Sequence, residues 1–157
     1  MCWQRSSLRN LLGMLSPTTA TIRLFLHVIA ASVWVGGQFA LAGVVPALRR
    51  TAPQSTKTVA QAFGRIAWPA YGVTVLTGMW SLMAIDITST SSAYQATVLL
   101  KIAVAIAAGV FAAIHAAGKS TLSIAIGGAV GALASVAAVF LGILLHTGTT
   151  CPHPALR

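Results

Sequence analysis

The sequence predicts an all-α fold: an integral membrane four-helix antiparallel bundle with both ends on the same side of the bilayer. Three observations carry that expectation. Hydrophobic residues make up 57% of the 157 positions and charged residues only 7%, against about 25% charged in a typical soluble domain. So few charges cannot cover a water-facing surface. Long stretches also run without any charge, from Arg23 to Arg49, Arg65 to Asp86, Lys101 to Lys119 and Lys119 to Arg157. A helix crosses the hydrocarbon core with roughly 20 apolar residues, and the third stretch reaches that length by borrowing residues before Lys101. Finally, short polar connections separate the stretches.

The length allows one membrane domain over residues 1–157. The first span is expected over Ile22–Val45, with Ser16-Pro17 reading as a cap followed by proline at the first helical position. The connection Pro46–Thr58 contains Arg49, Arg50, Pro53 and Lys57 and reads as a polar loop. The second span is expected over Ala62–Ile85, with a kink at Pro69 beside Trp68 and Tyr71. Asp86–Tyr94 is a Ser/Thr-rich loop, and the third span follows over Ala96–Ala117. A tight turn at Gly118–Thr121 leads into the fourth span, Leu122–His146, whose Gly127, Gly128, Gly131 and Ala134 permit close helix approach. A cleaved signal peptide is not expected, because the apolar piece Leu11–Leu15 is short and is followed by Pro17.

The formal net charge is +9. The basic residues flank apolar spans instead of lining one soluble face, so they read as membrane-flanking charges and nucleic acid is not an expected partner. Arg49, Arg50, Lys57, Arg65 and Lys119 gather on the loop side, against Arg5, Arg9, Arg23 and Arg157 on the terminal side. Arg5 and Arg9 lie far from the first span and count for less, which favours a multi-pass arrangement in the cell membrane with both termini outward. Cys2 and Cys151 fall on one side and read as two free thiols or, where that side is oxidising, a disulfide. The lipid bilayer is the expected surrounding, and the composition leaves room for a homo-oligomer or a membrane partner.

Four spans bring several polar or soft residues to one level. His27 lies early in the first span and Lys101 early in the third, Met79 and Met83 close the second, and His146 closes the fourth. Arg23, His27, Trp34 and Gln38 share one helix face. An ionisable group inside a span is costly and so is a functional candidate. Two cofactor chemistries fit. The first is a copper ion, held by His27, Met79, Met83 and His146, with Cys151 and His153 collecting metal in the tail. The second is haem b, with His27 as an axial ligand, Lys101 or His146 opposite, and Arg23 against a propionate. No Cys-x-x-Cys-His motif is present, so such a haem is non-covalent. The third reading is a structural membrane subunit without a cofactor. A single acidic residue cannot supply a carboxylate pair, so an enzyme here would be a haem-dependent oxidoreductase.

Three segments resemble a known family in order. Leu26–Arg50, with His27 followed by Trp34 and then Gly36-Gly37, is similar to the opening helix of CopD-like (copper resistance D) membrane proteins. Phe63–Leu82, with Thr77-Gly78 near its end, resembles their next helix, and Val98–Gly109 resembles the helix bearing their Lys, here Lys101. That resemblance implies copper handling, as transport or resistance. The same helices are similar to HemJ-like proteins, which implies haem and porphyrin oxidation with His27 and Lys101 as the residues that matter; Leu99 stands where those chains carry a second His.

The topology is directly testable. Reporter fusions placed before Met1 and after Arg157 should report the same side of the membrane. A discordant pair would require an odd number of crossings and would dismantle the shared level of His27, Lys101 and His146.

Overall fold

The computed structural model describes residues 16–148, and every long element among them is a helix. These are α1 (Thr19–Thr51), α2 (Thr56–Met83), α3 (Ser92–Ala117) and α4 (Thr121–Thr147), with 3₁₀ turns at Pro53–Ser55 and Ile87–Ser89. The all-helical architecture thus stands. Three of the helices, α1, α3 and α4, are long and apolar enough to cross a membrane. α2 falls outside that group, because Trp68, Pro69, Tyr71, Thr74, Thr77 and Ser81 lower its hydropathy.

The ends differ from expectation for local reasons. α1 starts after Thr18, not at Pro17: Thr18 accepts from the Thr21 amide at 3.2 Å, and its own amide donates to the Thr21 hydroxyl at 3.2 Å. This reciprocal cap satisfies two backbone donors that a helix start otherwise leaves open. α1 then runs straight through Pro46 to Thr51. Proline removes one intrahelical bond there, but Arg49 and Arg50 in the last turn meet the negative end of the helix. The expected polar loop therefore shrinks to the turn at Ala52–Ser55. α2 likewise continues through Pro69. α3 begins at Ser92, earlier than expected, since the Ser91 side chain accepts from the Tyr94 amide.

The chain folds as two antiparallel hairpins, α1/α2 and α3/α4, and most helix–helix contact lies within them. In the first, His27 near the start of α1 meets Thr77 near the end of α2, while the space beside Gly37 is filled by the Phe63 ring. In the second, backbones touch. A Cβ on Gly127 would come within 2.8 Å of the His115 amide nitrogen, and one on Gly131 within 3.2 Å of the Ala112 nitrogen. Glycine at both positions is what lets α4 lie this close to α3.

Two polar contacts join the hairpins. Trp34 Nε1 and Gln38 Nε2 on α1 both donate to Ser135 Oγ on α4, at 3.0 and 3.1 Å. The Ser135 hydroxyl in turn donates to the Gly131 carbonyl at 2.8 Å. A hydroxyl has one hydrogen and two lone pairs, so Ser135 is fully used. On the other flank, the Tyr71 hydroxyl of α2 donates to the Ala105 carbonyl of α3 at 2.9 Å. Gly109 makes room for that hydroxyl. Trp34, Trp68 and Tyr71 pack with ring centroids 4.7–6.1 Å apart between these contacts.

The interior is small and the exterior large. The buried set is Ala30, Trp34, Ala67, Thr77, Val98, Ala108 and Ser135, together with Gly109, Gly127 and Gly131. Phe25, Phe39, Ile66, Leu76, Leu99, Leu133 and Phe140 point outward. This inverts the soluble pattern, in which large apolar side chains fill the core.

The Ser135 hydroxyl should be a stability hot spot. Ser135→Ala leaves two buried donors without an acceptor, at a cost on the order of 1–3 kcal/mol, read as a lower melting temperature in detergent. Leu133→Ala, on the outward face, should stay within about 0.5 kcal/mol. Equal effects of the two would remove Ser135 as the joint between hairpins.

Candidate functional site

The site is built on the inward face of α1. Arg23, His27, Ala30 and Trp34 recur at helical spacing, so His27 projects into the bundle about one turn deeper than Arg23. His27 and Arg23 are half-buried, while Ala30 and Trp34 beneath them are buried. Across from His27, Thr74, Thr77 and Ser81 present hydroxyls along α2, and each donates to a carbonyl one turn back.

His27 Nδ1 lies 2.9 Å from Thr77 Oγ1. The Thr77 proton is already directed at the Val73 carbonyl, 2.7 Å away, with the Thr74 carbonyl at 3.1 Å. Oγ1 must therefore accept from His27, and the hydrogen-bond network assigns the ring hydrogen to Nδ1. Nε2 is left with its lone pair in the ring plane. It is an acceptor for a proton or a donor to a metal, oriented by the bond on the far side of the ring.

Lys101 comes to the same level from α3. Its ammonium reaches across to α4, where a Cβ on Gly142 would lie 2.9 Å from Nζ. Gly142 is thus a notch for the lysine head, and Lys101 is half-buried. Lys101 thus brings a positive charge between the helices. No side-chain carboxylate offsets it. The chain has one acidic residue, Asp86, and that residue caps the exposed turn after α2. It accepts from the Thr88 hydroxyl at 2.6 Å and the Thr88 amide at 3.1 Å. Those hydrogen bonds hold the Asp86 carboxyl below the usual carboxylate range.

The remaining candidates are not brought in. Met79 and Met83 end α2 at the expected level, but they lie across that helix from Thr77 and are 55% and 85% exposed. The α2 face toward the bundle is taken by Tyr71, Thr74, Thr77 and Gly78. His146 stays exposed in the last turn of α4. Among the described residues no group of three or more His, Cys, Asp or Glu is placed to hold a metal ion. Of His27, Met79, Met83 and His146, only His27 lies between the helices; the other three are exposed. Cys2, Cys151 and His153 lie outside the described residues. His115, at the opposite end of the bundle, donates from Nδ1 to the Ile124 carbonyl at 2.6 Å and closes the α3/α4 turn.

Two residues of the site go beyond the sequence reading, which valued Thr77 only for its place in a Thr-Gly pair and did not single out Gly142. Thr77 was detectable in principle, since Thr74, Thr77 and Ser81 repeat on one face of an apolar helix.

The ring assignment can be measured. Nitrogen-15 spectra of the labelled protein in micelles should show His27 as the Nδ1–H tautomer with an unprotonated Nε2. Thr77→Val, which removes the acceptor, should turn that signal into a mixture of tautomers. An Nε2–H ring in the parent protein would overturn the assignment.

Comparison with protein families, with curated proteins and with solved structures finds no match for this chain.

Proposed function

We propose that the chain is a four-span integral protein of the cell membrane whose His27–Lys101 centre binds a b-type haem or a closely related tetrapyrrole. The observation that carries this reading is the pairing of a free His27 Nε2 with a lysine that no side-chain carboxylate neutralises. A lone imidazole nitrogen is a haem ligand type. A tetrapyrrole would also bring the carboxylates this layer lacks, and Lys101 and Arg23 would be the cations to meet them. Burying those propionates against two cations offsets a cost that unpaired charge would impose on the fold. The bound group would supply one-electron chemistry at iron, in electron transfer or porphyrin oxidation. The protein's part is to present Nε2, hold the ring in one tautomer and fix the charges.

The fourth crossing is supported by how α2 spends its polar atoms. It is 28 residues long. Thr74, Thr77 and Ser81 bond their own helix, and Tyr71 bonds α3. Hydroxyls satisfied in this way need no water, so their helix is compatible with lipid despite its lower hydropathy.

A copper-handling role has less support. Soft ligands suit cuprous ion, but the two methionines face away from His27. The CopD-like and HemJ-like resemblance agrees with a His27–Lys101 centre and does not separate the two cofactors. What favours haem is that His27 and Lys101 lie between the helices while the methionines lie on an exposed face.

The deciding measurement is an absorbance spectrum of the purified protein before and after haem addition. An intense Soret band that shifts on reduction is expected. His27→Ala should abolish it, Thr77→Val should move it, and Lys101→Ala should weaken haem retention while leaving the melting temperature of the haem-free protein near that of the parent. A protein that stays colourless with haem supplied, while retaining copper in a His27-dependent manner, would replace this reading with the copper one.

A further inference from the structure

We propose that the loop end of the bundle, opposite the termini, carries a seat for one anionic phospholipid of the phosphatidylglycerol type. It is the groove lined by Arg49, His115, Thr121, Ile124, Ala125 and Gly128, of about 440 Å³. This inference is independent of the cofactor reading, since it lies at the other end of the molecule from His27 and Lys101.

The groove is graded in polarity along α4. Its head is made by three helix ends: Arg49 in the last turn of α1, His115 in the last turn of α3 and Thr121 in the first turn of α4. Its floor is Ile124, Ala125 and the bare backbone of Gly128. A polar head over an apolar floor matches a molecule with the same order of parts. Leu122 and Ile126, 69% and 47% exposed on α4 beside the groove, extend the apolar track that an acyl chain would follow.

The head has the chemistry of a glycerophosphate. The exposed Arg49 guanidinium offers a fork of donors that fits phosphate oxygens. His115 is restricted in a useful way. Its Nδ1 faces the Ile124 carbonyl at 2.6 Å, and a carbonyl only accepts, so Nδ1 carries a hydrogen. With Nδ1 so occupied, Nε2 is the ring nitrogen left to accept from a glycerol hydroxyl, while Arg49 takes the phosphate. Phosphatidylglycerol supplies both partners, whereas phosphatidylcholine supplies no hydroxyl and carries a compensating cation. The surroundings favour the same choice. Arg50, Lys57, Arg65 and Lys119 cluster toward this end, and the only acidic side chain, Asp86, is at the other. Basic seats between helices at an anionic leaflet are where acidic lipid headgroups collect. A free anion would use the head and ignore the floor, so the apolar half of the groove points to a lipid.

The test uses the full chain in detergent, with native mass spectrometry and melting curves. Phosphatidylglycerol should stay bound and raise the melting temperature. Phosphatidylcholine and inorganic phosphate at equal concentration should do neither. Arg49→Gln should weaken phosphatidylglycerol retention about tenfold, as loss of a charged hydrogen-bond partner implies. Ala125→Phe, which fills the exposed floor without changing charge, should weaken it similarly. Lys57→Gln, the same change of charge outside the groove, should leave it near the parent value. Equal retention of both lipids, an effect of phosphate alone matching that of the lipid, undiminished retention by Ala125→Phe, or a Lys57→Gln loss equal to that of Arg49→Gln would each overturn the proposal.

Discussion

A single hydroxyl ties the two hairpins together along one flank. Contacts within α1/α2 and within α3/α4 are extensive, while α1 and α4 meet sparingly. At that thin seam Ser135 accepts from Trp34 and Gln38 and donates to Gly131. Where water is scarce a polar atom must find its partner inside the protein, so the seam is held at one register. Trp34 is also the ring on which Trp68 and Tyr71 pack, and Tyr71 reaches α3. The aromatic cluster and the Ser135 bonds therefore set how far apart the hairpins stand. The depth at which His27, on α1, faces Lys101, on α3, depends on that spacing.

The interior of small residues makes the polar layer affordable. Close backbone contact at Gly127 and Gly131 leaves little empty volume between α3 and α4. The same economy of side chain at Gly142 opens the place that the Lys101 ammonium occupies. A larger residue there would compete with the lysine head. Gly78 acts more mildly beside His27, where an added Cβ would stand 3.6 Å from the ring, ordinary van der Waals contact. Packing and site are thus one problem in this fold: residues that bring helices together also decide where charge can sit.

How much of this was legible in the sequence depends on which physical signal each feature leaves. The helices are legible because charge-free length is a one-dimensional property, and His27 sharing a face with Trp34 and Gln38 follows from helical period alone. The end of α1 was not, because Pro46 reads as a breaker while the favourable placement of Arg49 and Arg50 depends on the finished helix. The start of α3 was missed for a related reason, since a Ser-rich stretch reads as loop until one serine is seen to cap. For Met79 and Met83 the sequence gives the position along α2 and not the direction of the side chains, which lie on an exposed face. Depth follows from position along a span, whereas direction requires knowing that the hydroxyls of Thr74 and Thr77 claim the inward face of α2. Ser135 and Gly142 left no signal, because small residues are common throughout α4 and their partners lie far away in sequence.

The two ends of the bundle have opposite relations to charge. At the terminal end, His27 and Lys101 lie between helices, where among the described residues their polar groups are met by a threonine and a glycine notch but by no side-chain carboxylate. At the loop end, arginines and lysines stand on exposed turns, where water and salt screen them. Their charge there costs little to maintain. Half-buried positive charge is different in kind: burying it is costly unless a group of opposite charge is paired with it. With Asp86 already committed to Thr88, the chain has no second acidic side chain to fill that role. Composition bears on this layer as much as geometry does, because a sequence with one acidic residue has no second carboxylate side chain of its own to place beside His27 and Lys101.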